Sequence, residues 1–175
     1  RVPENVEVKD GKLRLITRKE HLDKYDYLDQ DGHPHTWTTG NVITNEAFGP
    51  FGIYDCSYKF GAATGLNQSF WAMSEQGENF VELDFNEGHY PREMATNVHR
   101  KVGDRTVQNS LRHYPLGNTS DSPTLADDYH RYTGVVLPNN PNYNWEAPQN
   151  ADTFQIYFDN KSIRKTKSLQ YTPYP

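Results

Sequence analysis

The segment Val81–Glu87 (VELDFNE) alternates apolar and acidic side chains but carries one extra residue before its last carboxylate. Successive side chains of a β-strand point to opposite faces, so Glu82 and Asp84 share one face and the apolar residues share the other. Strict alternation would turn Glu87 toward the apolar side, where an unpaired charge is costly. A one-residue bulge near Phe85–Asn86 would return it to the acidic face. The pattern therefore predicts a bulged strand that presents three carboxylates on one surface.

Similar alternating segments recur along the chain and are separated by turn residues. Val6–Thr17 predicts a hairpin around an Asp10–Gly11 turn. The other segments that predict strands are Asn41–Thr44, Gly52–Phe60, Ser69–Ser74, Met94–Val102, Thr106–Leu111, Tyr129–Leu137 and Thr153–Phe158. Helical potential is confined to Ser120–Asp128, while residues 75–79 predict a polar turn and residues 138–150 a loop. Many short strands with little helix predict an all-β fold, an antiparallel β-sandwich.

Composition narrows the possible functions. The 175 residues are enough for one domain with its own core. A net charge of −5 argues against a general nucleic-acid binder. No stretch approaches the roughly 20 apolar residues of a membrane span. Cys56, the single cysteine, has no partner for an internal disulfide, and the histidines lack a compact metal-ligand spacing. We therefore expect no metal, no other cofactor, no nucleic-acid or membrane partner, and a monomer.

Acidic residues on one strand face have two interpretations. They often form nothing more than a solvated sheet surface, but like charges placed side by side repel each other, and bulges are frequent beside active sites. Aromatic residues precede the carboxylates at Phe70, Trp71 and Phe80 and could stack on sugars. Retaining glycosidases place two carboxyl groups about 5–5.5 Å apart. Glu82 and Glu87 would lie roughly 13 Å apart along a flat strand, so glycoside cleavage would require a concave, bulged sheet.

These residues resemble glycoside hydrolase family 16, whose signature is E-x-D-x-x-E on a bulged strand and which here reads ELDFNE. The resemblance implies a jelly-roll, concanavalin A-like sandwich with a concave substrate cleft. It also implies that Glu82 is the nucleophile, Asp84 an assisting acid and Glu87 the acid/base of a retaining hydrolase. The segments that resemble the family's other strands are NVEVKDGKLRLITRKE, TTGNVITNEAFGPFGIYDCSYKF, SFWAM, NVHRKV, DYHRY and FQIYFDNK. The family domain usually extends beyond both ends of such a segment, so we expect residues 1–175 to be a single domain, incomplete at both termini.

Departures from the family pattern bear on the substrate. Members that act on β-1,3-glucans often read W-P-A-F-W where this chain has Asn67–Trp71, often carry a His where Ala95 stands, and have a Trp near Val136. The S-F-W form is more similar to members that act on red-algal galactans, namely agarases, porphyranases and carrageenases. Basic residues in 89–113 either meet sulfate groups or form a solvated loop; they are Arg92, Arg100, Lys101, Arg105 and Arg112.

The resemblance thus predicts a secreted, cell-surface or periplasmic endo-glycosidase that cleaves internal β-linkages of a polysaccharide. A red-algal galactan is the favoured substrate, and a β-1,3- or β-1,3-1,4-glucan is the alternative. Trp71, His99 and Asn41 are the candidate substrate-binding residues, although each has a structural interpretation as well. A rival from another class is a carbohydrate-binding sandwich without catalysis, but such a module has no need of three adjacent carboxylates.

Overall fold

The computed structural model describes residues 1–22, 28, 32–48, 51–74, 79–102, 105–138 and 151–167. The chain divides into two compact units, Arg1–Phe48 and Gly49–Pro175. Within the described residues every regular element is a strand except a one-turn 3-10 helix, and no helix has the length and apolar character needed to cross a membrane. Most of the turn predicted at 75–79 and of the loop predicted at 138–150 lies outside the described residues, but Asn79 begins one strand and Pro138 ends another.

The first unit consists of two small antiparallel pairs. The 3-10 helix Pro3–Asn5 leads into β1 (Val6–Lys9), which pairs with β2 (Lys12–Leu15). The turn between them has Asp10 at φ 52° and Gly11 at φ 69°, the left-handed values of a tight two-residue hairpin loop, so the predicted hairpin is confirmed. β3 (Thr17–Lys19) pairs with β4 (Trp37–Thr39).

The strand predicted at Asn41–Thr44 is wrong. β4 ends at Thr39, and Gly40 closes the ladder by donating its backbone N–H to the carbonyl of Ile16 at 3.0 Å. A strand requires a neighbour for its backbone hydrogen bonds, and Asn41–Thr44 pairs with no strand among the described residues. The conformation of this segment therefore depends on strand pairing, and local alternation of side chains is not enough to make it a strand.

The second unit contains two four-stranded antiparallel sheets. The first sheet, in the order β6-β7-β8-β9, is formed by β6 (Asn67–Met73), β7 (Asn79–His89), β8 (Glu93–Val102) and β9 (Arg105–His113). The second, in the order β12-β11-β10-β5, is formed by β5 (Gly52–Tyr58), β10 (His130–Pro138), β11 (Ala151–Phe158) and β12 (Lys161–Lys167). Side chains from both sheets form two buried clusters, and in the first of them the ring centroids of Phe85 and Phe154 lie 6.0 Å apart. The predicted all-β antiparallel sandwich is confirmed.

Ser120–Asp128 forms turns, so the predicted helical potential is not realised. Contacts with neighbouring segments replace helical hydrogen bonds there. The backbone N–H of Leu125 donates to the carbonyl of Pro91 at 2.9 Å, and the side chains of Leu125 and Ala126 are buried in the core. Burial of two apolar residues and external backbone bonds stabilise the turns over an isolated helical turn, which is unfavourable to nucleate.

Candidate active site

The predicted bulge is present in β7, and the registers on both sides show it. On the β8 side Asp84 pairs with Asn97 and Glu87 pairs with Ala95, so three residue steps on β7 match two on β8. On the β6 side the register also shifts, between Phe70 and Trp71. β7 therefore has one residue more than either neighbour between Asp84 and Glu87, which defines a bulge at residues 85–86.

Both bulge residues face the core, and this returns Glu87 to the opposite face. Phe85 is fully buried and stacks against Tyr54 of the second sheet with a centroid separation of 4.9 Å. Asn86 is also fully buried, and its amide donates to the hydroxyl of Tyr58 in the second sheet. Because two consecutive side chains point inward at the bulge, the next side chain, that of Glu87, points outward again.

Two asparagines hold the carboxylate of Glu87. Asn67 of β6 donates from Nδ2 to Oε1 at 2.8 Å, and Asn97 of β8 donates from Nδ2 to Oε2. Asn97 also hydrogen-bonds Asp84, the residue directly opposite it in the ladder. Glu87 and Asp84 therefore lie on one face and share a hydrogen-bond donor, as the acidic pattern requires.

Asp84 is a buried carboxyl group between two other carboxylates. Only 2% of the residue is exposed. Burial first, and then the negative charge of Glu87, raise its pKa from 3.8 to about 6, and the charge of Glu82 adds to the rise. The hydrogen bond from Asn97 acts in the opposite direction. The ionisation of Asp84 therefore changes close to neutral pH.

His99 is a basic side chain in contact with this carboxyl. It pairs with Glu82 across the β7–β8 ladder, and its Nε2 lies 3.1 Å from Oδ2 of Asp84. The two atoms are within ion-pair distance but are not aligned for a hydrogen bond. Oδ2 therefore has no hydrogen-bond partner in the described part of the chain. One ligand atom each from Glu82, Asp84 and His99 lie within 4.8 Å of one another, so among the described residues these three are the set that could hold a metal ion.

The other predicted substrate-binding residues occupy different positions. Trp71 is half-buried and pairs with Asp84 in the β6–β7 ladder, so its side chain is on the acidic face. Asn41 belongs to the first unit and lies two residues after Thr39, where β4 ends. The structure therefore brings together Trp71, His99 and the three acidic residues, whereas contact of Asn41 with substrate stays a prediction.

Three arginines of the stretch 89–113, Arg92, Arg100 and Arg112, have different surroundings. Arg92 donates to the backbone carbonyls of Ser120 and Ser122, both at 2.8 Å, and Arg100 is 7% exposed. Arg112 pairs with Glu93 at 3.4 Å, and its side chain remains 74% exposed. The side chain of Arg105 lies outside the described residues. Of the described arginines in this stretch, Arg112 alone combines exposure with a position opposite Ala95 on the acidic face.

Asn67 and Asn97 were not among the residues that the sequence singled out for the site. Asn97 carried a usable signal, since it stands two residues before His99 and therefore on the same face of β8. Asn67 carried none, because its proximity to Glu87 depends on the β6–β7 register.

The sequence profile described as Glycosyl hydrolases family 16 matches residues 2–175. The chain belongs to this family. No curated protein matches the chain significantly. Among solved structures, the chain is similar to porphyranase B from Zobellia galactanivorans, with a TM-score of 0.64 and 16% identity. The match covers 99% of this chain and 63% of the porphyranase chain. At this identity the likeness establishes that this member of family 16 has the same fold.

Proposed function

We propose that this family 16 chain acts as a retaining endo-glycosidase that cleaves internal β-linkages of a polysaccharide. The observation that carries the proposal is the β7 bulge, which returns Glu87 to the face that bears Glu82 and Asp84. Glycoside cleavage with retention needs two carboxyl groups flanking the scissile bond. In a flat, regular strand, Glu87 would face the core instead.

In the proposed reaction, a carboxylate oxygen of Glu82 attacks the anomeric carbon while the bond to the leaving oxygen breaks. Glu87 transfers its proton to that oxygen, and a glycosyl ester forms on Glu82. Glu87 then takes a proton from water, and the resulting hydroxide attacks the anomeric carbon and releases Glu82 as carboxylate. Two inversions at the same carbon give net retention.

The neighbouring groups have distinct proposed roles. Asp84 assists Glu82 in its protonated form, which donates a hydrogen bond to the Glu82 carboxylate and which the raised pKa of Asp84 favours. Asn67 and Asn97 orient the carboxyl of Glu87. His99 positions the carboxyl group of Asp84, since its Nε2 lies 3.1 Å from Oδ2. Trp71 offers a stacking surface for a sugar ring.

A red-algal galactan is the proposed substrate class. The support is the S-F-W sequence at Ser69–Trp71 and the structural likeness to porphyranase B. The exposed guanidinium of Arg112 on the acidic face could hydrogen-bond an anionic sugar substituent. Such a polymer is too large to enter cells intact, so we propose a secreted, cell-surface or periplasmic enzyme.

The test is a pair of variants assayed for cleavage and binding. Glu82→Gln should abolish cleavage and keep polysaccharide binding, measured by affinity electrophoresis, while Glu87→Gln should lose about 10²–10⁴-fold in kcat. A 2-fluoro glycoside should label Glu82 in the wild type, detected by peptide mass spectrometry. Unchanged cleavage by Glu82→Gln would overturn the assignment, and binding by a wild type that cleaves nothing would identify a carbohydrate-binding module.

Substrate class is tested separately with agarose, porphyran, carrageenans, laminarin and lichenan. Release of oligosaccharides of several lengths from one of the galactans is the expected result and would show internal cleavage. Cleavage of laminarin or lichenan alone would instead support the β-1,3- or β-1,3-1,4-glucanase alternative.

A further inference from the structure

Asn86, the second residue of the bulge, makes a buried polar junction of three strands. Its Nδ2 donates to the hydroxyl of Tyr58 on β5 and to the backbone carbonyl of Gln68 on β6, the latter at 3.2 Å. The Tyr58 hydroxyl itself lies 3.5 Å from the same carbonyl. β5 belongs to the second sheet, so the junction connects the two sheets at Asn86, the residue immediately before Glu87.

The backbone on either side of Asn86 fits closely against the second sheet and the β5–β6 connection. A Cβ on Gly134 would lie 2.1 Å from Cδ1 of Phe85, so the absence of a side chain there makes room for the first bulge residue. A Cβ on Gly88 would lie 1.8 Å from the ring of Phe60, so that strand segment also approaches its neighbour closely. These two close contacts limit the movement of β7 on either side of Asn86. The hydrogen bonds of the Asn86 amide then fix the backbone between them.

The amide of Asn86 carries a stability cost at its oxygen, Oδ1. Asn86 is fully buried, and its Oδ1 has no hydrogen-bond partner among the described residues. A buried, unsatisfied polar atom costs on the order of 1–3 kcal/mol. An apolar side chain would avoid that penalty but would remove the donor that reaches the Tyr58 hydroxyl and the Gln68 carbonyl. Local rules of this kind are broken most often beside functional sites.

We propose that Asn86 and Tyr58 form a positioning pair that sets the orientation of Glu87. The inference rests on the proposed function, since it concerns the acid/base carboxyl of that mechanism. The pair acts through the backbone: the amide fixes the peptide between Asn86 and Glu87 against the second sheet, and Asn67 and Asn97 then fix the side chain from the outer face. A displacement of about 1 Å at a reacting group can lower the rate about 10²-fold.

Tyr58→Phe tests the pair because it removes one hydroxyl and nothing else. Tyr132→Phe is the matched control: its ring stacks on Tyr58 at 4.5 Å, it is also buried, and its hydroxyl has no hydrogen-bond partner in the described ranges. We expect Tyr58→Phe to lower kcat on the polysaccharide about 10- to 100-fold with KM within about twofold. Tyr132→Phe should stay close to wild type, and the two variants should have similar melting temperatures.

The decisive measurement compares leaving groups. A 2,4-dinitrophenyl glycoside of the oligosaccharide that the wild type releases needs no proton donor, and azide as acceptor needs no general base. Activity of Tyr58→Phe on this glycoside with azide should therefore approach wild type, as it should for Glu87→Gln. Asn86→Val should behave like Tyr58→Phe, and the double variant should be no worse than the worse single variant.

Two outcomes would overturn the inference alone. One is equal kcat for Tyr58→Phe and Tyr132→Phe on the polysaccharide. The other is an equal loss by Tyr58→Phe on the polysaccharide and on the dinitrophenyl glycoside, which would indicate general structural damage. If instead Glu87→Gln itself shows no recovery on the dinitrophenyl glycoside with azide, the acid/base assignment fails, and the proposed function fails with it.

Discussion

Replacing Asp84 by Asn should stabilise the protein at neutral pH. Folding raises the pKa of this carboxyl from 3.8 to about 6, through burial and then the charges of Glu87 and Glu82. Because each pKa unit corresponds to about 1.36 kcal/mol, ionised Asp84 lowers the free energy of unfolding at pH 7 by up to about 3 kcal/mol. Asn removes that charge and still accepts a hydrogen bond from Asn97. Burying the new amide itself costs some free energy, so we expect a net gain of about 2 kcal/mol.

The gain should depend on pH in a defined direction. Below about pH 3.8 the carboxyl is protonated in both the folded and the unfolded state, and the substitution should change little. Between about pH 3.8 and 6 the unfolded state ionises while the folded state keeps its proton, and the gain should grow. Above about pH 6 the gain should be complete, as an increase of roughly 4–8 °C in melting temperature. Urea unfolding at about pH 3.5 and pH 7 measures both limits.

Asp55→Asn is the control with the opposite sign. Hydrogen bonds from Arg131, at 2.9 Å and 3.0 Å, and from Thr133 lower the pKa of Asp55, so its charge stabilises the fold above the unfolded pKa. Its replacement should lower stability at pH 7, and the loss should shrink as pH falls through the folded pKa. A gain for Asp84→Asn that is equal at both pH values, or a loss at pH 7, would refute the electrostatic argument.

Two further substitutions test the packing and the hydrogen bonding of the site. Gly134→Ala places a Cβ 2.1 Å from Phe85 Cδ1 and should destabilise by about 1–3 kcal/mol with reduced activity; Gly61→Ala, whose nearest contact would be an ordinary 3.4 Å, should be neutral in thermal melts. Asn97→Leu removes the hydrogen bond that Asn97 donates to Glu87 and should lower kcat about 10- to 100-fold in steady-state assays. Wild-type kcat in that variant would exclude Asn97 from orienting the acid/base.

Much of the site's central strand could be predicted from the sequence because its cause is local. Alternation in Val81–Glu87 assigned each side chain to a face, and the extra residue before Glu87 required a bulge; both expectations are confirmed. The Asp10–Gly11 turn is equally local, since few residue pairs adopt two consecutive positive φ values. In both cases the deciding interactions lie within a few residues of the chain.

Other features depended on partners far away in the sequence, and a periodic pattern does not identify partners. Asn41–Thr44 alternates like a strand but finds no neighbouring strand among the described residues. Ser120–Asp128 becomes turns because Leu125 contributes to the core and bonds Pro91.

At the site itself, the sequence alone determined the line of carboxylates and its need for a bulge. Only the tertiary structure decided which groups surround it: Asn67 and Asn97 on Glu87, and His99 beside Asp84. The raised pKa of Asp84 and the Asn86–Tyr58 junction depend on burial between two sheets. Burial and strand register arise only when separate segments of the chain pack together.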